Sequence, residues 1–235
     1  MRILAAIFAM ATVLPALAAA PSTQPTTNPA LWDKMIEIDS RAGKVKNLAA
    51  DFEQKKFTAL LKKPLVSSGK IRVAGETMRW DTDKPESNVL LITPAEVKMY
   101  YPKQKTVEIY RVDQKLGQLA ASPLPRLEAL KQHFTFEQIS AKSLDDSADE
   151  SKFLALKLLP FEDELKKHLE QVLVLLDISA ATIVKAEMTD TDGDRTAIAF
   201  RNIQANTDVG DLELHVPNDT KISRPLEAIE GGPSQ

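Results

Sequence analysis

Apolar residues recur along this chain with two different periods, and the changes between them mark out its elements. Asn28-Pro29 pairs a good helix cap with a residue suited to the first helical position. Leu31, Met35, Ile38, Ala42 and Val45 then follow at spacings of four and three, which is one stripe of a helix. Trp32 and Ile36 widen the stripe, and Gly43 or Asn47 ends it. From Leu48 the period falls to two. Leu48, Ala50 and Phe52 alternate with Ala49, Asp51, Glu53 and Lys55, predicting a strand with one wet face. Residues 68–102 hold three short β-rich runs, around Ile71, Val89 and Val97, punctuated by Gly, Pro, Asp and Asn. That is the pattern of an antiparallel meander, and residues 106–112 add a further strand.

The character changes in the middle of the chain. Leu116, Leu119, Leu124, Leu127, Leu130 and Phe134 sit at helix-like spacing, interrupted by Pro123 and Pro125. This predicts two short amphipathic helices with a proline hinge. Alternating runs resume at residues 153–159, 171–176, 180–189, 196–205 and 212–216, while residues 163–169 fit either a helical turn or a hairpin. The expected fold is mainly β with helices (α+β), about ten or eleven strands behind an N-terminal helix. A sheet of that size curls. If it does not close, its apolar inner side needs a cover, and the leucine-rich helices of residues 116–134 can supply one.

The chain ends add a compartment. Arg2, the apolar run from Ile3 and the small residues Ala16 and Ala18 have the layout of an export signal, residues 1–18, too short and Ala-rich to span a bilayer. Residues 19–28 read as a disordered lead-in and 230–235 as a flexible tail, leaving one domain over 29–229. There is no cysteine, hence no disulfide and no cysteine to lipidate. The net charge of −3 comes with no dense basic patch that would point to nucleic acid or to an anionic membrane surface.

Candidate chemistry is sparse. The three histidines, His133, His168 and His215, have no zinc-ligand spacing, and His133 is expected on a helix surface. Asp190-Thr-Asp-Gly-Asp194 begins like a calcium loop, but its glycine is fourth and Arg201 stands where a bidentate glutamate belongs. It reads as an Asp-Gly hairpin turn. The acidic group Asp145, Asp146, Asp149 and Glu150 reads as a solvated loop. No Gly-x-Ser-x-Gly elbow or phosphate-binding loop occurs. No catalytic, cofactor-binding or metal-binding residue is assigned, and the chain is not expected to be an enzyme. Trp80 and the tyrosines Tyr100, Tyr101 and Tyr110 could line a pocket or pack as ordinary core.

The order of these motifs resembles the LolA family of periplasmic lipoprotein carriers. It is carried by Phe52-Glu-Gln54, Ser68-Gly-Lys-Ile71, Met78-Arg-Trp80, Met99-Tyr-Tyr-Pro102, Leu156-Lys-Leu-Leu-Pro160, Ala199-Phe-Arg-Asn202 and Leu212-Glu-Leu-His-Val-Pro217. The resemblance implies an incomplete antiparallel β-barrel with a helical lid over a hydrophobic cavity, and no cofactor. It implies a periplasmic carrier that moves acylated lipoproteins from the inner to the outer membrane. Its partners would be an inner-membrane lipoprotein-releasing ABC transporter and an outer-membrane receptor, and it would act as a monomer. A lipid- or lipoprotein-sensing module on the same scaffold is the alternative. The expected cavity and lid residues are Phe52, Ile71, Trp80, Tyr100, Leu116, Leu124, Leu127, Leu130 and Phe134, with Tyr101 an alternative to Tyr100. One feature departs from the family. Its Arg-Pro pair after the Gly-x-[Leu/Ile] strand, whose arginine holds the lid, is replaced by Val73-Ala-Gly-Glu76.

Overall fold

The computed structural model describes residues 28–111 and 122–224. Helix α1, Pro29–Ala42, starts where the Asn28 side chain caps the amide of Ala30, and it buries Leu31, Met35, Ile38 and Ala42. These are four members of the stripe read from the sequence; Val45, the fifth, lies beyond the helix and packs partly buried against the same core.

Among the described residues, all the strands belong to one sheet. They are β1 (Asn47–Phe57), β2 (Leu65–Ala74), β3 (Thr77–Lys84), β4 (Asn88–Ile92), β5 (Glu96–Tyr101), β6 (Thr106–Arg111), β7 (Phe134–Ile139), β8 (Phe153–Pro160), β9 (Gln171–Asp177), β10 (Thr182–Thr189), β11 (Arg195–Ala205) and β12 (Lys221–Ser223). Their spatial order is β12-β6-β5-β4-β3-β2-β1-β11-β10-β9-β8-β7, twelve strands with two free edges rather than a closed barrel. Every pairing is antiparallel except β12, which runs parallel to β6. Among the described residues, two further α-helices are single turns, α2 (Leu127–Leu130) and α3 (Asp163–Lys166), and Ala141–Ser143 form a short 3-10 helix. The undecided stretch at 163–169 is therefore helical at its start.

Alternation sorts the side chains onto two faces. Along β1, Leu48, Ala50 and Phe52 are buried, as the period-two pattern predicts. Across the ladders, Ile71 sits opposite Trp80 and Trp80 opposite Leu90, so these share the inner face that carries α1. One apolar cluster joins α1, the inner face of the sheet and Leu124, Leu127 and Phe134 of the mid-chain segment.

Three expectations need correction. Phe134 does not end a helix but opens strand β7, and it alternates with Phe136, both buried. The helix reading fails because Leu127, Leu130 and Phe134 keep a helical spacing across the point where the backbone becomes extended. Residues 212–216 join no ladder; they are half-buried at every second position, but their backbone is held by side chains. Arg79 donates to the carbonyls of Leu212 and Glu213, and Arg72 to those of Val209 and Asp211. Finally, His133 is not on a helix surface. It is buried, and its Nδ1 lies 2.9 Å from a carboxylate oxygen of Glu162, tying the end of the mid-chain segment to the start of α3.

Candidate functional site

The expected cavity and lid residues largely converge. Phe52 and Trp80 pack edge to face at 4.6 Å between ring centroids, and Trp80 reaches Phe200 at 5.9 Å. Ile71 stands beside Trp80 across the β2–β3 ladder. Leu124, Leu127 and Phe134 are buried in the same apolar cluster, and Leu130 packs against it half-buried. Leu116 lies outside the described residues. Tyr100 is the exception. It pairs with Val89, which in turn pairs with Asp81, so it sits on the outer face, opposite Trp80 and Leu90. Tyr101, its neighbour, projects to the inner side, because successive strand residues alternate.

The segment of residues 122–133 lies against this inner face, held by a few polar contacts around a large apolar one. The amide of Leu127 donates to Asp39 Oδ1 on α1 at 2.8 Å. Helix α2 has no capping side chain of its own, so Asp39 satisfies one of its otherwise orphaned amides. The amide of Ile183 donates to the carbonyl of Pro123 at 2.8 Å. Lys131 places its Nζ over the Trp32 ring, 4.1 Å from the centroid, a favourable cation–π geometry. On the edge of α1, Trp32 also meets Phe136 of β7 at 6.0 Å.

The fourth contact answers the missing arginine of residues 73–76. That turn supplies an acceptor instead of a donor: the carbonyl of Gly75 takes a hydrogen bond from Arg126 Nη2 at 3.0 Å. Gly75 has φ +57, a region glycine enters without strain. This turn is therefore tied to the mid-chain segment by an arginine that the segment itself carries. No sequence signal pointed to it, because Arg126 is an isolated cation between Pro125 and Leu127. A cleft of about 350 Å³ runs along this seam, lined by Asp39, Ala42, Gly75, Leu124, Arg126 and Ala129.

The outer face carries a second polar cluster. Asp81 receives Arg72 Nη2 and Arg79 Nε, both at 2.9 Å, on separate carboxylate oxygens. The two guanidinium groups are thereby aimed at the extended C-terminal segment.

Elsewhere the titrating groups have local causes. A hydrogen bond from Lys185, supported by Ser147, holds Asp145 well below the usual carboxylate range. A hydrogen bond to Glu108 pushes Tyr110 up to about 12. The hydrogen bond to Asp211 raises His215. The turn at Asp190 is a hairpin turn, with Asp190 capping the amides of Asp192 and Asp194 and Gly193 at φ +84. Among the described residues, no helix is long and apolar enough to cross a membrane.

Comparison with known proteins agrees with this architecture. No curated protein matches the chain by sequence. Among solved structures, an uncharacterized conserved protein from Thermus thermophilus is similar at 12% identity, with 83% of this chain and 99% of that one covered and a TM-score of 0.50. MucB is similar at 10% identity, with 84% of this chain and 66% of MucB covered and a TM-score of 0.50. Identities this low speak for the fold alone. The family described as outer membrane lipoprotein carrier protein LolA matches residues 43–213, from the end of α1 to the last residue clasped by Arg79. That match covers well over half the chain, which belongs to the LolA family.

Proposed function

We propose that the chain is a periplasmic carrier of acylated lipoproteins, exported by residues 1–18 and working as a monomer. The acyl chains would lie between the inner face of the sheet and residues 122–133, which act as the lid. Phe52, Ile71, Trp80, Leu124, Leu127, Leu130 and Phe134 would form the wall, and Pro123 and Pro125 the hinge. An inner-membrane lipoprotein-releasing ABC transporter would load it, and an outer-membrane receptor, where one exists, would unload it.

The observation that carries this reading is the single apolar cluster shared by lid and sheet. Each buried methylene contributes about 0.8 kcal/mol, so an acyl chain gains on the order of 10 kcal/mol by leaving water. The lid's apolar contacts with the sheet can be exchanged for contacts with cargo at little net cost. The polar contacts that must open are few: Asp39 with Leu127, Arg126 with Gly75, and Pro123 with Ile183. Such a core can admit and release a chain without covalent chemistry.

The test is to purify the exported protein from its native compartment and identify what accompanies it by mass spectrometry. Triacylated proteins are the expected companions. Phospholipid or glycolipid alone would change the cargo, and a protein that never takes up a fluorescent fatty acid would overturn the cavity. A regulatory partner in place of cargo would favour the sensing module.

A further inference from the structure

The hairpin joining β1 to β2 ends in an apolar tip that no other part of the described chain covers. Leu60 is 93% exposed, and Leu61, Leu65 and Val66 are exposed with it. Residues 58–64 lie beyond the last ladder pairs of β1, Lys56 with Leu65 on one side and Phe57 with Arg195 on the other. Strand β3 stops short as well, since its pairing with β2 begins only at Ser68 with Lys84. The tip therefore stands clear of both neighbouring strands.

Its charge is opposite to that of the chain. Lys62 and Lys63 are exposed at the apex and make no ion pair with the described residues, while the whole chain is net −3. Lower down, Lys55 pairs with Glu53 and Lys56 approaches Asp194 at 4.0 Å. In the acidic turn leading into Arg195, Asp190 caps its own turn and Asp194 faces Lys56, while Asp192 is exposed. Apolar residues at an apex with free lysines beside them suit a bilayer interface, where the leucines enter the acyl boundary and the ammonium groups meet anionic headgroups. A tip this narrow is poorly matched to a stable protein interface, which buries about 800 Å² per partner. The hairpin's unpaired backbone groups also limit the depth, because they need water or headgroups as partners.

We propose that residues 58–66 are a membrane-docking hairpin that sets Leu60 and Leu61 into the interfacial layer of an anionic bilayer, with Lys62 and Lys63 on its headgroups. The tip is at the end of β2 opposite Gly75, about 30 Å along the strand from the lid seam. Docking therefore does not depend on the carrier reading, and either can fail alone.

The test uses the full exported chain and vesicles of phosphatidylethanolamine with phosphatidylglycerol, against vesicles of phosphatidylcholine alone. Because the chain has no cysteine, Leu60→Cys can carry one environment-sensitive fluorophore, with Lys142→Cys on an exposed turn as control. The expected result is co-flotation with the anionic vesicles, and a blue shift at position 60 that is absent at 142. The double variant L60D/L61D should lose at least about tenfold in vesicle partitioning at an unchanged melting temperature. K62E/K63E should weaken binding most at low salt, since the attraction is screened. Failure of the parent chain to float, partitioning unaffected by L60D/L61D, or no shift at position 60 would each overturn the proposal. If L60D/L61D blocks delivery to a membrane protein while the parent chain ignores lipid vesicles, the tip is a protein contact instead. Uptake of a fluorescent fatty acid, measured alongside, reports on the carrier reading separately.

Discussion

Replacing Asp39 by alanine should loosen the lid selectively. Asp39 Oδ1 is the partner of the Leu127 amide, and Leu127 is only 1% exposed, so water cannot readily take over the bond. Leaving a buried donor unpaired costs about 1–3 kcal/mol, in line with the loss of a helix cap at about 1 kcal/mol. Taking about 2 kcal/mol, the local opening equilibrium should rise roughly thirtyfold. Hydrogen exchange reads this directly. The amides of Leu130, Lys131 and His133, bonded within this turn, should exchange roughly thirtyfold faster, and those at the centre of the β1–β2 ladder should not change. Asp39→Asn keeps an acceptor oxygen and should give a smaller acceleration. Two results would refute the reasoning: unchanged exchange across 127–133, or equal acceleration of lid and sheet, which would make Asp39 a contributor to global stability only.

Three further outcomes follow from the same geometry. Gly69→Ala should destabilise by about 3 kcal/mol, because a Cβ there would lie 2.0 Å from the backbone oxygen of Asp81; a melting curve within a degree of the parent would contradict it. Asp81→Asn removes the charge shared by Arg72 and Arg79 and should cost about 1–2 kcal/mol, with limited proteolysis appearing first at residues 207–216; cleavage elsewhere first would count against the clasp. Asp145 has its pKa depressed by Lys185. Its contribution is therefore present above the unfolded value, near 4, and is lost as pH falls below it. The melting-temperature gap between parent and Asp145→Asn should be full at neutral pH and close in acid; a gap independent of pH would exclude the ion pair as its source.

How far the sequence revealed the molecule depends on whether a local period settles the partner. The α1 stripe and the β1 alternation do, since each presents one apolar face to one core, and the buried residues of both elements were legible. The Asp-Gly turn did so through the special backbone angle at Gly193. The failures share a cause. Phe134 fits a helix stripe and a strand equally, and tertiary pairing with Pro160 of β8 decides it. Residues 212–216 alternate like a strand, yet Arg79, more than 130 positions away, takes the carbonyls of Leu212 and Glu213. Tyr100 could not be assigned a face until the register with Val89 was known. In the candidate site, the apolar residues that meet in one buried cluster were readable from their types, whereas the bonds holding residues 122–133 join residues 51 and 88 positions apart. No local signal encodes those.

The arginine clasp on the outer face also decides where this protein can be cut. The sheet's last long strand ends at Ala205, and a boundary drawn there would look natural. Yet a chain ending at that point would leave Arg72 and Arg79 crowded over one carboxylate, without the carbonyls that accept their remaining N–H groups. It would also remove Val209, which is buried. A recombinant fragment should therefore run past residue 213, and a fusion partner placed between 206 and 213 should cost more solubility than one placed after 224.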